Sequence, residues 1–347
     1  MSHTETPHGA DPLPRLEAAA RLALPRFGIA AAAVALIHHR ENAVFRVDEA
    51  ADGSRWAMRV HRDGYRTAGE IRSELVLMDA LREAGVPTPR ARFGIDGDPL
   101  QLVAPPGGGT PLQVDVLAWV EGSSLAAGGQ GLDADQGYEG LTAHDMPEVH
   151  RLVGRTSALI QQHGRRWTPP AGFSRPVWDV DALIGARALW GDYADLAVLT
   201  AEQLALMHRA ADRVRRRLGA FGRAPDRFGL THGDLMPDNI LVADGVPYVI
   251  DFDDAGYGWY LYDLATLLAD KVADPSFAEV RDAWADGYRT VAPLPDEHLD
   301  ALDALVMARL LLGLGWMHTR RETAMARDFT PLVVVLACLQ AEKLLGG

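Results

Sequence analysis

Residues 231–254 read THGDLMPDNILVADGVPYVIDFDD, and this stretch restricts the fold more than any other. It holds Asp234 five residues before Asn239, then a short apolar hairpin, then Asp251 after the apolar strand 248–250. Apolar strands of this kind anchor the loops that join them, and a carboxylate at a strand end can point into a cleft. Any fold that buries the hairpin brings these polar groups close together.

Moving the γ-phosphoryl group of ATP to a hydroxyl requires a carboxylate near the attacking oxygen and oxygen ligands for Mg²⁺ bridging the phosphates. Asp234 suits the first role, orienting the hydroxyl and accepting its proton. Asn239 offers an uncharged amide oxygen to a hard ion already bound by anionic phosphates. Asp234, Asp251, Asp253 and Asp254 would repel one another strongly without a cation, which argues for a metal. Taken singly, Asp234 reads as a turn or helix cap near Pro237, and Asn239 as a turn residue after Pro237-Asp238. Their combined spacing with Asp251 favours catalysis.

The 347 residues suffice for two lobes over a large core. A formal net charge of −13 argues against nucleic-acid binding. It is compatible with cationic small substrates, and equally with a surface selected for solubility. The single cysteine, Cys338, cannot form an intrachain disulfide, so nothing indicates an oxidising compartment. The N-terminus lacks a signal peptide's basic start and apolar run. The apolar stretches 304–316 and 332–339 are too short, or carry Arg309, to span a membrane. The expectation is a cytoplasmic protein with no membrane association and an oligomeric state left open. Only Lys271 and Lys343 are lysines; the other basic residues are arginines.

Residues 1–14 read as a flexible tail, 15–121 as an N-terminal lobe and 122–347 as a helical C-terminal lobe. In the first lobe, 15–27 is a short helix, and 43–47 and 55–60 are strands around an Asp52-Gly53 turn. Helical spacing over 70–84 ends at Gly85, and 90–95, 100–103 and 114–120 are further strands. The run 105–109 is a Pro- and Gly-rich loop. Beyond Glu121-Gly122, the Gly- and Asp-rich segment 126–146 reads as an insertion. Helices are predicted at 147–163, 179–196, 201–221, 260–271, 276–290, 297–318 and 330–344.

A β-rich lobe with one helix, a hinge, and a helical lobe bearing a catalytic hairpin together resemble the aminoglycoside phosphotransferase and choline kinase superfamily. The stretch FDDAGYGWYLYDLATLL is similar to homoserine kinase type II and to bacterial stress-response kinases. The resemblance runs from about Ile37 to the last helix and is strongest over 230–268. It implies an α+β, protein-kinase-like fold with two lobes.

The resemblance implies roles for individual residues. Asp234, in His232-Gly233-Asp234, would be the catalytic carboxylate, with His232 a structural donor holding the loop. Asp251 would be the metal-binding residue, with Asp253 reaching a second Mg²⁺ or a basic substrate group. Asp254 would be structural or substrate-facing, and Asp263 would tie down the catalytic loop. Arg59 stands where the family has the lysine that grips the α- and β-phosphates, and Glu74 is its expected ion-pair partner, with Glu70 the alternative. Arginine keeps the charge and binds phosphate bidentately, but its planar head is not that of lysine. The segment 40–45 would cover the nucleotide, with Asn42 contributing contacts. Residues 117–122 would form the hinge, where backbone groups of Trp119 and Val120 meet adenine.

Trp178, Trp190 and Tyr193 fall in one predicted helix; Trp284, Tyr288, Trp316 and His318 fall in others. Aromatics near acidic groups bind ammonium heads, but at helical spacing the core is the stronger reading. Arg320, Arg321 and Arg327 suit a substrate anion or a solvated face. Three functions stand open. The first is an ATP- and Mg²⁺-dependent kinase acting on a small-molecule hydroxyl of an amino alcohol, hydroxy amino acid or aminoglycoside. The second is a protein Ser/Thr kinase of the stress-response type, and the third a nucleotide-binding pseudokinase.

Overall fold

The computed structural model describes residues 12–105, 108–126 and 146–346. Residues 127–145 of the expected insertion 126–146, residues 1–11 of the 1–14 tail and residues 106–107 of the 105–109 loop lie outside the described residues.

Helix α1 (Leu13–Ala23) precedes a five-stranded antiparallel sheet. Its strands are β1 (Ala31–His39), β2 (Ala43–Glu49), β3 (Arg55–Val60), β4 (Leu100–Val103) and β5 (Leu112–Ala118), in the order β1-β2-β3-β5-β4. Strand alternation sends Ala43, Phe45 and Val47 of β2 to one face, where they pack with Ala19, Ala20, Ala23 and Phe27. Helix α2 (Ala68–Glu83) starts at a capping box: Thr67 accepts from the Glu70 N–H, and Glu70 accepts from the Thr67 N–H. Its apolar positions Ile71, Leu75, Met78 and Leu81 are buried as the spacing predicts.

The second body contains β6 (Ser123–Ser124), α3 (Met146–Arg166), β7 (Val177–Trp178), α4 (Val180–Ile184), α5 (Ala201–Phe221) and β8 (Phe228–Thr231). There follow β9 (Ile240–Ala243), β10 (Val246–Val249), β11 (Gly256–Trp259), α6 (Tyr262–Leu268), α7 (Phe277–Arg289), α8 (Asp296–Leu299), α9 (Leu302–Thr319) and α10 (Ala324–Gly346). The β9–β10 pair closes through Asp244-Gly245, both at positive φ (49° and 76°), the geometry of a tight two-residue hairpin. The Val249 N–H donates to Pro87 O, linking the hairpin to the loop after α2. Helix α9 runs through the core, with Leu305, Val306, Met307, Leu311, Leu312 and Leu314 fully buried.

Three expectations are corrected. The segment 90–95 is no strand; only Ala91 bridges to Leu117, because β4 already occupies the first half of that edge of β5. The segment 179–196 is not one helix: only α4 and a single 3-10 turn at Tyr193–Asp195 are helical, so Trp178, Trp190 and Tyr193 do not share one. Gly185 stops α4 in an extended conformation, and Gly191 (φ +105°) sits against the Gly315 backbone where a Cβ would clash. The last helix starts at 324, not 330, and continues through Pro331. Over its 23 residues it is long and apolar enough to cross a membrane, although 332–339 alone is too short. Its inner face, including Val334, Ala337 and Ala341, is buried, and the helix packs on α5 and α9.

Candidate active site

The loop 232–239 is held from three sides. Asp263 on α6 accepts from the Gly233 N–H (2.8 Å) with one oxygen and from Thr231 (2.8 Å) and Ser157 (2.7 Å) with the other. His232 lies 3.1 Å from Ile250 O through Nε2 and 3.4 Å from the Asp234 N–H through Nδ1. With Nε2 donating and Nδ1 accepting, the ring ties the loop to the residue after β10. Gly233 has φ 84°, and a Cβ there would stand 2.5 Å from Asp254 O, so only glycine fits. The side chain of Asn239 donates to Asp234 O (2.8 Å), which orients its amide and leaves the acceptor oxygen directed elsewhere.

Asp251, Asp253 and Asp254 follow β10. Asp251 has φ 61°, a left-handed conformation that turns the chain sharply at the strand end. Asp251 keeps solvent-exposed surface, while desolvation of its carboxyl and repulsion from Asp253 and Asp234 push its pKa upward. Asp253 is 5% exposed; Oδ2 accepts from Asn42, while Oδ1 is buried with no hydrogen-bond partner. Burial also raises the Asp254 carboxyl, although it accepts from Arg66 and Tyr65 (2.7 Å each). Arg175 threads beneath this loop and donates to the carbonyls of Phe252, Asp253 and Ala255 (2.6 Å each). That strut fixes the backbone carrying all three carboxylates, and nothing in the local sequence around Arg175 announces it.

Across the cleft, Arg59 meets Glu74 at 2.7 Å, and Glu70 is occupied instead in the α2 cap. Arg59 also forms a fork with Asp115 on β5: Nε to Oδ1 at 2.8 Å and Nη2 to Oδ2 at 2.5 Å. His61 lies 3.0 Å from the same Asp115 oxygen. Burial opposes the ionised form of Asp115, but Arg59 and His61 outweigh it and hold the carboxyl far below the usual range. Burial pushes Glu74 upward despite Arg59. A planar guanidinium accepts this two-sided grip, which a lysine point charge does not.

The loop between β1 and β2 bridges the two bodies. Asn42 reaches Asp253, and Glu41 accepts from Trp316 Nε1 (2.8 Å) and Arg320 Nε (2.6 Å) on or just after α9. At the hinge, the N–H groups of Ala118 and Trp119 donate to Arg90 O and Arg55 O. The Val120 N–H meets no acceptor among the described residues. Trp119 and Val120 border a cavity of ≈530 Å³ shared with Pro87, Thr88 and Tyr248.

Arg309, which in the sequence only interrupts the apolar stretch 304–316, joins the site. It extends from α9 to Asp234, with Nη2 to Oδ1 at 2.8 Å. Its guanidinium lies 4.5 Å from the Trp190 ring centre and 6.0 Å from that of Tyr262. A lone arginine inside the apolar stretch 304–316 is the available signal, since a buried charge needs a partner. Trp190 Nε1 donates to the Tyr65 hydroxyl (3.1 Å), and a cavity of ≈180 Å³ opens between Tyr65, Trp190, Thr319 and Arg320. Trp284 and Tyr288 are core residues stacked on each other, away from this wall. Arg321 and Arg327 are exposed on the surface.

Residues 33–305 match the sequence pattern of the Phosphotransferase enzyme family, and the chain belongs to that family. It has the fold and superfamily that the hairpin motif indicates, and it is a phosphotransferase with an alcohol group as acceptor. A solved microcompartment-associated aminopropanol kinase is 32% identical, covers 93% of this chain and 96% of its own, and superposes with a TM-score of 0.80. An uncharacterised protein of Deinococcus radiodurans is 31% identical over 316 residues, which is 87% of this chain and 82% of that protein. Amicoumacin kinase of Bacillus subtilis is 23% identical over 246 residues, 71% of this chain and 65% of its own.

Proposed function

We propose that this phosphotransferase moves the γ-phosphoryl group of ATP, with Mg²⁺, to the hydroxyl of a small amino alcohol. The observation that carries the reading is convergence: the hairpin brings Asp234, Asn239, Asp251 and Asp253 to one end, opposite the Arg59–Glu74 pair. The donor set suits a hard divalent ion, because Asp253 Oδ1 is a buried anionic oxygen with no partner and the Asp251 carboxyl is crowded by other acids. Asn239, Asp251 and Asp253 would hold the ion, which neutralises charge on the phosphates. Arg59, fixed by two carboxylates, presents its remaining N–H groups to the α- and β-phosphates. The free Val120 N–H suits the adenine edge. Asp234 orients the acceptor hydroxyl and takes its proton.

The aminopropanol kinase likeness supports an amino alcohol, and the ≈180 Å³ cavity beside Trp190 suits an acceptor of that size. An amicoumacin kinase structure of the same fold holds AMP-PNP and Ca²⁺, in keeping with nucleotide and divalent-metal use. The intact carboxylate set speaks against a non-catalytic nucleotide binder, and the relatives' small-molecule substrates speak against a protein acceptor.

The test is calorimetric titration of ATP with Mg²⁺ and with EDTA, followed by ADP release against a panel of amino alcohols. Mg²⁺-dependent binding and alcohol-stimulated turnover are expected. Asp234→Asn should keep ATP binding and lose at least about 10²-fold in turnover. Absence of binding in both conditions, or unchanged turnover in the variant, refutes the reading.

A further inference from the structure

We infer that Arg309 is the positioning residue for the base, fixing which oxygen of Asp234 faces the acceptor hydroxyl. This inference rests on the base role proposed for Asp234. Three observations lead to it. Arg309 occupies one oxygen of the carboxylate, Oδ1, at 2.8 Å, and no side chain among the described residues bonds Oδ2. The guanidinium is braced against Trp190, with its centre 4.5 Å from the ring, so it cannot swing freely. Helix α9, from which it extends, is core-packed along most of its length and gives it a rigid mount.

An aspartate on a loop rotates about its side-chain torsions, and each rotation moves the proton-accepting lone pair away from the hydroxyl. Holding Oδ1 leaves Oδ2 as the oxygen that takes the proton. In the transfer, the acceptor oxygen forms its bond to the γ-phosphorus while the bond to the bridging oxygen breaks. The bonding pair leaves on ADP, and the hydroxyl proton moves to Oδ2. Arg309 touches neither reacting atom; its Nη1 is buried and closed to the cleft.

The brace also connects the base to the acceptor cavity. Trp190 forms one wall of that cavity, carries Arg309 on its ring, and donates to Tyr65, which donates to Asp254 (2.7 Å). An acceptor seated against Trp190 therefore presses on the same side chain that steadies Arg309.

The test is a double-mutant cycle on the full chain with Arg309→Met, Asp234→Asn and the pair. Turnover is read as ADP release with an amino alcohol and, in parallel, as ATP hydrolysis with water as acceptor. A poorly chosen alcohol then does not silence the measurement. Arg309→Met should lower kcat about 10²-fold, the scale of a misplaced catalytic group, with KM for ATP changed less than about threefold. In the Asp234→Asn background, the same change should remove less than about threefold, because there is no base left to position. Arg309→Lys keeps the charge without the planar stack and should fall between the parent and Arg309→Met. It also serves if the methionine variant does not fold. A normal kcat in Arg309→Met or Arg309→Lys with only a lower Tm overturns the inference, as does an undiminished loss in the Asp234→Asn background. Failure of the functional reading shows differently: Asp234→Asn would then be as active as the parent.

Discussion

Replacing Arg59 by lysine, the residue that the family resemblance implies at this position, should harm this protein. Asp115 is fully buried, and Arg59 supplies two of its three hydrogen bonds, from Nε and Nη2, with His61 making the third. A lysine ammonium cannot span Glu74 and Asp115 with the same fork. One carboxylate would be left buried without its cation, a loss of about 3–5 kcal/mol. Arg59→Lys should therefore unfold at lower denaturant by roughly that amount and bind ATP at least about tenfold more weakly. Removing the surplus charge should reverse most of this: Arg59→Lys with Asp115→Asn should recover to within about 1.5 kcal/mol of the parent, since isosteric replacement of a buried ion pair is often near neutral. The assays are urea unfolding followed by tryptophan fluorescence and calorimetric ATP titration. An Arg59→Lys variant as stable as the parent, or a double variant worse than the sum of its singles, refutes the reasoning. Acid supplies a second check. The Asp115 carboxyl sits far below its unfolded value near 3.9, so its contribution is present above about pH 4 and lost as pH falls further. Asp115→Asn should flatten that acid limb.

Two further outcomes are expected. Mg²⁺ affinity should keep rising with pH above the ordinary carboxylate range, because desolvation and the neighbouring Asp253 and Asp234 raise the Asp251 carboxyl, which must lose its proton to bind a cation. Parallel calorimetry should show that rise shrink in Asp251→Asn. Glu41→Ala removes the bonds from Trp316 and Arg320 that dock the β1–β2 loop on the second body. For this partly exposed group the loss is about 1 kcal/mol, so KM for ATP should rise about fivefold and cleavage at the loop by added protease should quicken.

The sequence by itself determined the hairpin and its polar ends. Asp244-Gly245 between apolar runs allows little else, and the Asp234-to-Asn239 interval is spanned by a single loop turn. It also determined α2, whose capping box and apolar spacing lie within a few consecutive residues. These are local matters, settled by neighbours along the chain. Strand β1 is not legible in the sequence, because its run of alanines carries little of the branched or aromatic signal that marks a strand. The break at Gly185–Gly191 was also hidden, because an approach to Gly315, far along the chain, requires it.

Tertiary structure alone decided what surrounds the site residues. It joined Asp115 to Arg59 across a strand pair, placed Arg175 beneath the Asp251–Asp254 loop, and set Arg309 against Asp234 from 75 residues away. A buried charge announces in sequence that it needs a partner, but not which one. The partner is fixed only when strands and helices pack, because the distances that govern electrostatic and hydrogen-bond energy are distances in space.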